Sequence, residues 1–241
     1  MKLSFIIVSI FFILFIFSSQ SLINAQNISI SQENTLSDKK SILEYISKIV
    51  QYASRIFGLN SKELEKKVYV QITEQVKPAY SRLKRDVCIL YPYGKVLFSP
   101  DEKIIIKSLD SNYRIVQLIV NNIPLHIRAS DYVSIDNSLL KKFNKISIYY
   151  EARVDGKFFR NRIPIEDNFE LVDLRSVDIV NKEFERSLSY SDPLERSLYR
   201  LSILTGLEAQ MGEDFEFEYN LNNYRYEVQR LLKERLPSHL N

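Results

Sequence analysis

Glycine, cysteine and histidine are scarce in this chain. Among 241 residues there are five Gly, one Cys, two His and no Trp. Gly58, Gly94, Gly156, Gly206 and Gly212 lie too far apart for a dinucleotide fingerprint, a phosphate-binding loop or a nucleophile elbow. A single Cys88 excludes an internal disulfide, and two distant His argue against a zinc site made by the protein alone. Charge of one sign is missing too. With 33 Lys+Arg against 30 Asp+Glu, the balance gives no reason to expect nucleic acid or an anionic membrane as the main partner. What the chain does have is a 45% apolar share, enough to bury a core.

The N-terminus carries an address. Lys2 precedes an apolar run from Phe5 to Phe17, broken only by Ser9, and Ser18 to Ser21 follow it. A run of about 13 residues has the length of a signal-peptide core and falls short of the ~20 needed to span a bilayer. Ala25 is the expected residue before the cut, which makes residues 1–25 a signal peptide and the protein periplasmic, cell-surface or secreted. Retention of the run as an anchor, with the helix at 38–57 self-associating, is a further reading. Residues 26–37 read as a polar leader.

The period of the apolar residues then divides the chain. Ile42, Ile46, Ile49, Ala53 and Ile56 recur at helical spacing, widened by Leu43, Val50 and Phe57, and Gly58 is placed to cap the helix. A second helix is expected from Asn60 or Ser61 through Leu64, Val68, Ile72 and Val76. Together these form a helical segment over 38–85. Arg82-Leu83-Lys84-Arg85 at its end has the dibasic form of a processing site, but an ordinary basic helix end is the preferred reading.

From 86 to 175 the period is two, which predicts seven or eight short strands over about 90 residues. Asn121-Asn122 and Asp155-Gly156 mark tight hairpins. Counting from the first turn puts Val116, Leu118 and Val120 on one face with Ile123, Leu125 and Ile127, and Gln117 opposite His126 on the other. Counting from the second puts Ile146, Ile148, Tyr150 and Ala152 with Phe159, Ile163 and Ile165. On its other face Glu151 meets Arg160, Tyr149 meets Arg162, and Arg153 meets Phe158.

The stretch from Tyr91-Pro92 and Gly94 through Ile104–Ile106 to Val116-Gln117-Leu118-Ile119-Val120-Asn121-Asn122-Ile123-Pro124 resembles bacterial immunoglobulin-like domains. The resemblance covers about residues 86–175 and implies a non-catalytic surface or periplasmic module. It transfers no functional residue.

Residues 176–241 return to helical periodicity. Val177, Val180, Phe184 and Leu188 give one helix. Asp192-Pro193 with Glu195 opens a second, striped by Leu194, Leu198, Leu201, Thr205 and Ala209 and ending at Gly212. Phe215, Phe217 and Tyr219 alternate with Glu216 and Glu218 as an edge segment guarded by acids, and a last helix runs through Tyr224, Val228 and Leu231. Gly206 alone lies inside a helix, at a cost of about 1 kcal/mol relative to Ala, and close packing of a neighbouring helix is the expected reason.

The fold class expected is therefore α+β: an antiparallel immunoglobulin-like β-sandwich between an N-terminal helical segment and a C-terminal helical hairpin. No catalytic, metal-ligating or cofactor-binding set emerges. His126 reads as a solvated strand residue, His239 as part of the tail, and Cys88 as a structural thiol. Glu213, Asp214, Glu216 and Glu218 lack the spacing of a calcium loop. The basic and aromatic cluster Tyr149, Arg153, Lys157, Phe158, Arg160 and Arg162 resembles a nucleic-acid platform, but the counted register, Arg160 to Glu151 and Arg162 to Tyr149, favours a self-neutralised sheet face, and export argues further against nucleic acid. The function expected is binding of another envelope protein or a surface glycan, with Tyr149, Arg153, Phe158 and Arg162 as the contact surface. The alternative is a hydrolase with scattered acidic residues, which would need two carboxylates converging in a deep pocket.

Overall fold

The structure is a computed structural model and describes residues 44–73, 88–99 and 102–235. The expected signal peptide, polar leader, dibasic sequence and His239 lie outside the described residues. The architecture mixes helices and strands, with two sheets.

Residues 44–57 are helical (α1), and α2 spans Ser61–Thr73. Gly58, at φ 64°, reverses the chain between them, and the Leu59 N–H closes on the Ser54 carbonyl at 2.8 Å. Asn60 caps α2 by accepting from the Lys62 N–H at 3.0 Å.

Strands follow: β1 (Ile89–Leu90), β2 (Gly94–Phe98), β3 (Ile104–Ser108), β4 (Tyr113–Val120), β5 (Ile123–Leu125), β6 (Tyr132–Ile135), β7 (Phe143–Val154), β8 (Lys157–Arg160) and β9 (Ile165–Asp173). One sheet, in the order β1-β3-β6, is antiparallel. The other is six-stranded, in the order β2-β9-β7-β4-β5, with β8 extending the β7 hairpin. Both sheets contribute to one apolar cluster that includes Ile89, Ile106, Ile135, Leu118, Ile146 and Ile148. The expectation of antiparallel pairing throughout fails at one place: β2 runs parallel to β9, because the chain changes sheets between β1 and β2 at Pro92.

Both two-residue turns form as expected, with Asn121 and Asn122 at φ 51° and 68°, and Asp155 and Gly156 at 49° and 79°. Asn121 also uses its side chain, donating to the Leu139 carbonyl and accepting from the Lys145 N–H at 3.0 Å, which Gly would not do. One bulge and one strand break alter the counted registers. Val116 is the extra residue in β4, so Ile115, and not Val116, points inward with Leu118 and Val120. Beyond Arg160 the second hairpin breaks at Pro164, which has no N–H for an interior ladder. β9 resumes with Ile165 opposite Ile148, where counting places Ile163. Arg162 therefore does not oppose Tyr149, and Phe159 and Ile163 are exposed instead of sharing the core. Ile123, expected to face inward, is exposed at the edge strand beside Pro124.

The C-terminal helices are α3 (Asp178–Ser187), α4 (Pro193–Met211) and α5 (Glu218–Arg235). They share a core with α1 and α2. Asp192 caps α4 by accepting from the Leu194 N–H at 2.9 Å, ahead of Pro193. Leu188, expected on the apolar stripe, lies past the end of α3 and is exposed. Phe215–Phe217 form no strand. Phe217 is buried among the helices, and α5 starts at once, at Glu218.

The first turn of α5 joins the two layers. The Tyr219 hydroxyl accepts from the Ile105 N–H at 3.0 Å and donates to the Ile105 carbonyl at 2.9 Å. Burial holds its pKa above the usual phenol value, so it keeps the proton it donates. The Asn220 amide does the same for Leu97 on β2, with both bonds at 2.9 Å. A second tie runs from Glu102. It is ion-paired to Arg200 and accepts from the Tyr224 hydroxyl at 3.0 Å, while Arg200 Nε donates to Ser187 Oγ at 2.8 Å.

Gly206 meets the expected close approach. A Cβ added there would lie 2.7 Å from Cε2 of Phe57 on α1. Gly206→Ala gains about 1 kcal/mol of helix propensity and loses roughly 1–3 kcal/mol to overpacking. The expected net result is a fall in the thermal midpoint of a few degrees, measured by circular dichroism. Adding Phe57→Leu should recover part of it. A midpoint raised by Gly206→Ala would mean that the ring has room to move.

Candidate functional site

The outer face of the six-stranded sheet collects the residues expected to make contacts, together with two that counting missed. β4 and β7 place Arg114 opposite Glu151, and Arg114 donates to Glu151 Oε2 at 2.6 Å. β8 places Phe158 opposite Arg153. The Phe158 ring is flanked by two guanidiniums, with Arg114 4.0 Å and Arg153 5.9 Å from its centre. Arg160 is opposite Glu151 in the backbone register, as counted, but its side chain goes elsewhere. It sits 5.6 Å from the Tyr149 ring centre and donates to Gln117 Oε1 at 2.7 Å. Tyr149, Arg153 and Phe158 thus share one surface with Arg114, Gln117 and Arg160. Arg162 is exposed in the segment that leaves the sheet before Pro164. Arg114 and Gln117 come from a strand distant in sequence, and the bulge at Val116 hides their register. Pairing β4 directly with β7 was the signal that would have found them.

This face is not self-neutralised. Glu151 is engaged by Arg114, and among the described residues Arg153, Lys157, Arg160 and Arg162 take part in no ion pair. Guanidinium groups held over aromatic rings, with cations left over, make a surface suited to anionic or aromatic groups on a partner.

The carboxylates are arranged differently. An open depression of about 350 Å³ beside β2 is lined by Tyr93, Lys95, Glu170, Phe215, Glu216 and Glu218. Glu216 pairs with Lys95 at 2.6 Å, Glu218 accepts from the Tyr93 hydroxyl at 3.0 Å, and Glu170 is 3.7 Å from Lys142. The acids expected to guard Phe215 and Phe217 therefore tie the start of α5 to β2. Buried Glu183 accepts from the Tyr199 hydroxyl, from Tyr52 at 3.4 Å and from Arg186 at 3.3 Å. Among the described residues no group of three His, Cys, Asp or Glu side chains is placed to hold a metal ion. Cys88 is half-buried at the start of the strands, and His126 is exposed.

Glu208 on α4 is the acid least at ease. Burial raises its pKa above the usual carboxylate value and nearby Glu218 adds to this, while Lys67, the Gln71 amide at 3.3 Å and Arg225 oppose it. A carboxyl whose pKa is higher folded than unfolded costs the folded state stability once ionised. That cost is absent below the unfolded value near 4 and grows as pH rises through the folded one. Glu208→Gln should raise the thermal midpoint at pH 7, with the difference vanishing near pH 4. An equal effect at both pH values would assign the gain to packing. Set against known proteins, the chain matches no protein-family model and no curated protein sequence.

Proposed function

We propose that this is an exported, non-catalytic binding protein whose two sheets form an immunoglobulin-like sandwich, and that its outer sheet face takes another envelope or surface protein or a surface glycan. Strand order supports the immunoglobulin-like part. In that arrangement strands A, B and E share one sheet and G, F and C the other, with C′ added beside C. The orders β1-β3-β6 and β9-β7-β4-β5 have the same succession. The apolar run at Phe5 to Phe17 supports export. Among the described residues no helix is long and apolar enough to cross a membrane.

The observation that carries the binding role is the Phe158 ring flanked by Arg114 and Arg153, with Tyr149 and Arg160 beside it, on rigid strands. Aromatic and Arg side chains dominate the energetic centres of protein interfaces, and strands hold them without an ordering cost. The carboxylates favour no hydrolytic reading, since those lining the depression are occupied by Lys95, Tyr93 and Lys142.

Affinity capture from the native envelope fraction tests the face. Phe158→Ala with Arg153→Ala should weaken recovery of the partner at least tenfold while leaving the circular dichroism unchanged. Unchanged recovery removes the face from the proposal. The N-terminal residue of the chain isolated from its own cells tests export: Gln26 is expected, and Met1 would favour the retained anchor.

A further inference from the structure

We infer that the β7–β8 hairpin tip is a membrane-contact site, inserting Val154 and Phe159 into the interface of an anionic lipid bilayer. The last β4–β7 pair is Tyr113 with Ala152, after which the Arg153 N–H is held by the Asn112 carbonyl at 2.7 Å. Val154 and the Asp155-Gly156 turn extend beyond it. At about 3.4 Å per residue, two residues clear the end of β4 by about 7 Å. That is the depth to which interfacial segments bury their apolar side chains.

Cross-strand pairing puts Ala152, Val154 and Phe159 on the same side of the hairpin. Val154 is 54% exposed and Phe159 56%, and Ile163, 50% exposed, follows in the segment before Pro164. Between Ala152 and Ile163 the hairpin carries four cations, Arg153, Lys157, Arg160 and Arg162, and one acid, Asp155; Lys157 shares the side of Val154 and Phe159, while Arg153 and Arg160 lie on the Phe158 side. The net charge of the whole chain conceals this concentration.

The charge selects an anionic partner, and the apolar side chains select one with an apolar phase. A protein interface of standard size needs about 800 Å² from each partner. A projecting tip with two or three apolar side chains does not supply that, whereas a bilayer needs no complementary shape. Positive φ at both turn residues fixes the tip before it binds, so little ordering is lost. The site is separate from the outer face proposed above, because Val154 and Phe159 point to the other side of the hairpin from Phe158.

Because the chain has no Trp, Phe159→Trp in the full chain creates a single reporter. Its emission should shift to shorter wavelength with vesicles of phosphatidylcholine and phosphatidylglycerol, and stay unshifted with phosphatidylcholine alone. Brominated acyl chains should quench it, and high salt should reverse the shift. Lys157→Glu in the same background should weaken partitioning about tenfold or more. Phe143→Trp, at the opposite end of β7, should not respond, which separates the tip from any binding by the N-terminal apolar run. The inference is overturned by an unshifted Trp at 159, by equal shifts with neutral and anionic vesicles, or by equal shifts at 159 and 143. A shift without quenching would assign the tip to a soluble polyanion and also overturn it. None of these results bears on capture through Phe158 and Arg153, so the two readings fail independently.

Discussion

The four hydrogen bonds made by Tyr219 and Asn220 set how the helices sit on the sheets. When the chain changes sheets between β1 and β2, it leaves backbone unpaired on both. Ile105 lies past the end of the β1 ladder, and Leu97 lies on an edge strand. A buried amide or carbonyl left without a partner costs about 1–3 kcal/mol. Two neighbouring side chains on one helical turn satisfy all four groups, in the manner of an extra strand of one residue on each sheet. The direction of α5 is thereby fixed, and with it the position of α4 and of the helices packed on α4. The edge that β2 would otherwise offer to another chain is closed at Leu97.

Most of what the sequence made legible rests on local chemistry. The two hairpins were readable because Asn-Asn and Asp-Gly tolerate positive φ and fix the register for a few residues on either side. Asp192-Pro193 and Gly58 punctuated the helices for equally local reasons. What escaped depended on distant partners. Val116 looks like any alternating apolar residue, and only pairing with β7 makes it the bulge. Pro164 has no N–H for a ladder, yet the alternation counts straight through it, and the register shift that follows depends on where β9 meets β7. β2 and β6 are too short to show a period, and the parallel pairing of β2 has no local signature. Among the site residues, Tyr149, Arg153 and Phe158 followed from counting out of a turn. Arg114 and Gln117 did not, since they reach the face from another strand.

Acids and cations are matched unevenly over this molecule. The helical layer and its junction with β2 absorb acids one by one: Glu183 among tyrosines and Arg186, Glu102 with Arg200 and Tyr224, Glu216 with Lys95. At the β7–β8 end of the six-stranded sheet, Arg153, Lys157, Arg160 and Arg162 take part in no ion pair among the described residues. A chain close to neutral overall thus has one end of distinctly positive character, and contact with any charged partner will be oriented as well as attracted.

Gly206 packing on Phe57, and Tyr52 bonding to Glu183, join helices that flank the whole strand region; the latter pair is 131 residues apart in the chain. The sheets are therefore an insertion within a helical core. During synthesis α1 and α2 emerge first, yet the surface they bury against is among the last to appear. Closing so long a loop of free chain costs entropy that grows with the logarithm of its length. Strands that have already folded bring the ends of the insertion together and shorten the effective loop. The economical order of assembly is then middle first and both ends afterwards, with the N-terminal helices waiting for their C-terminal partners.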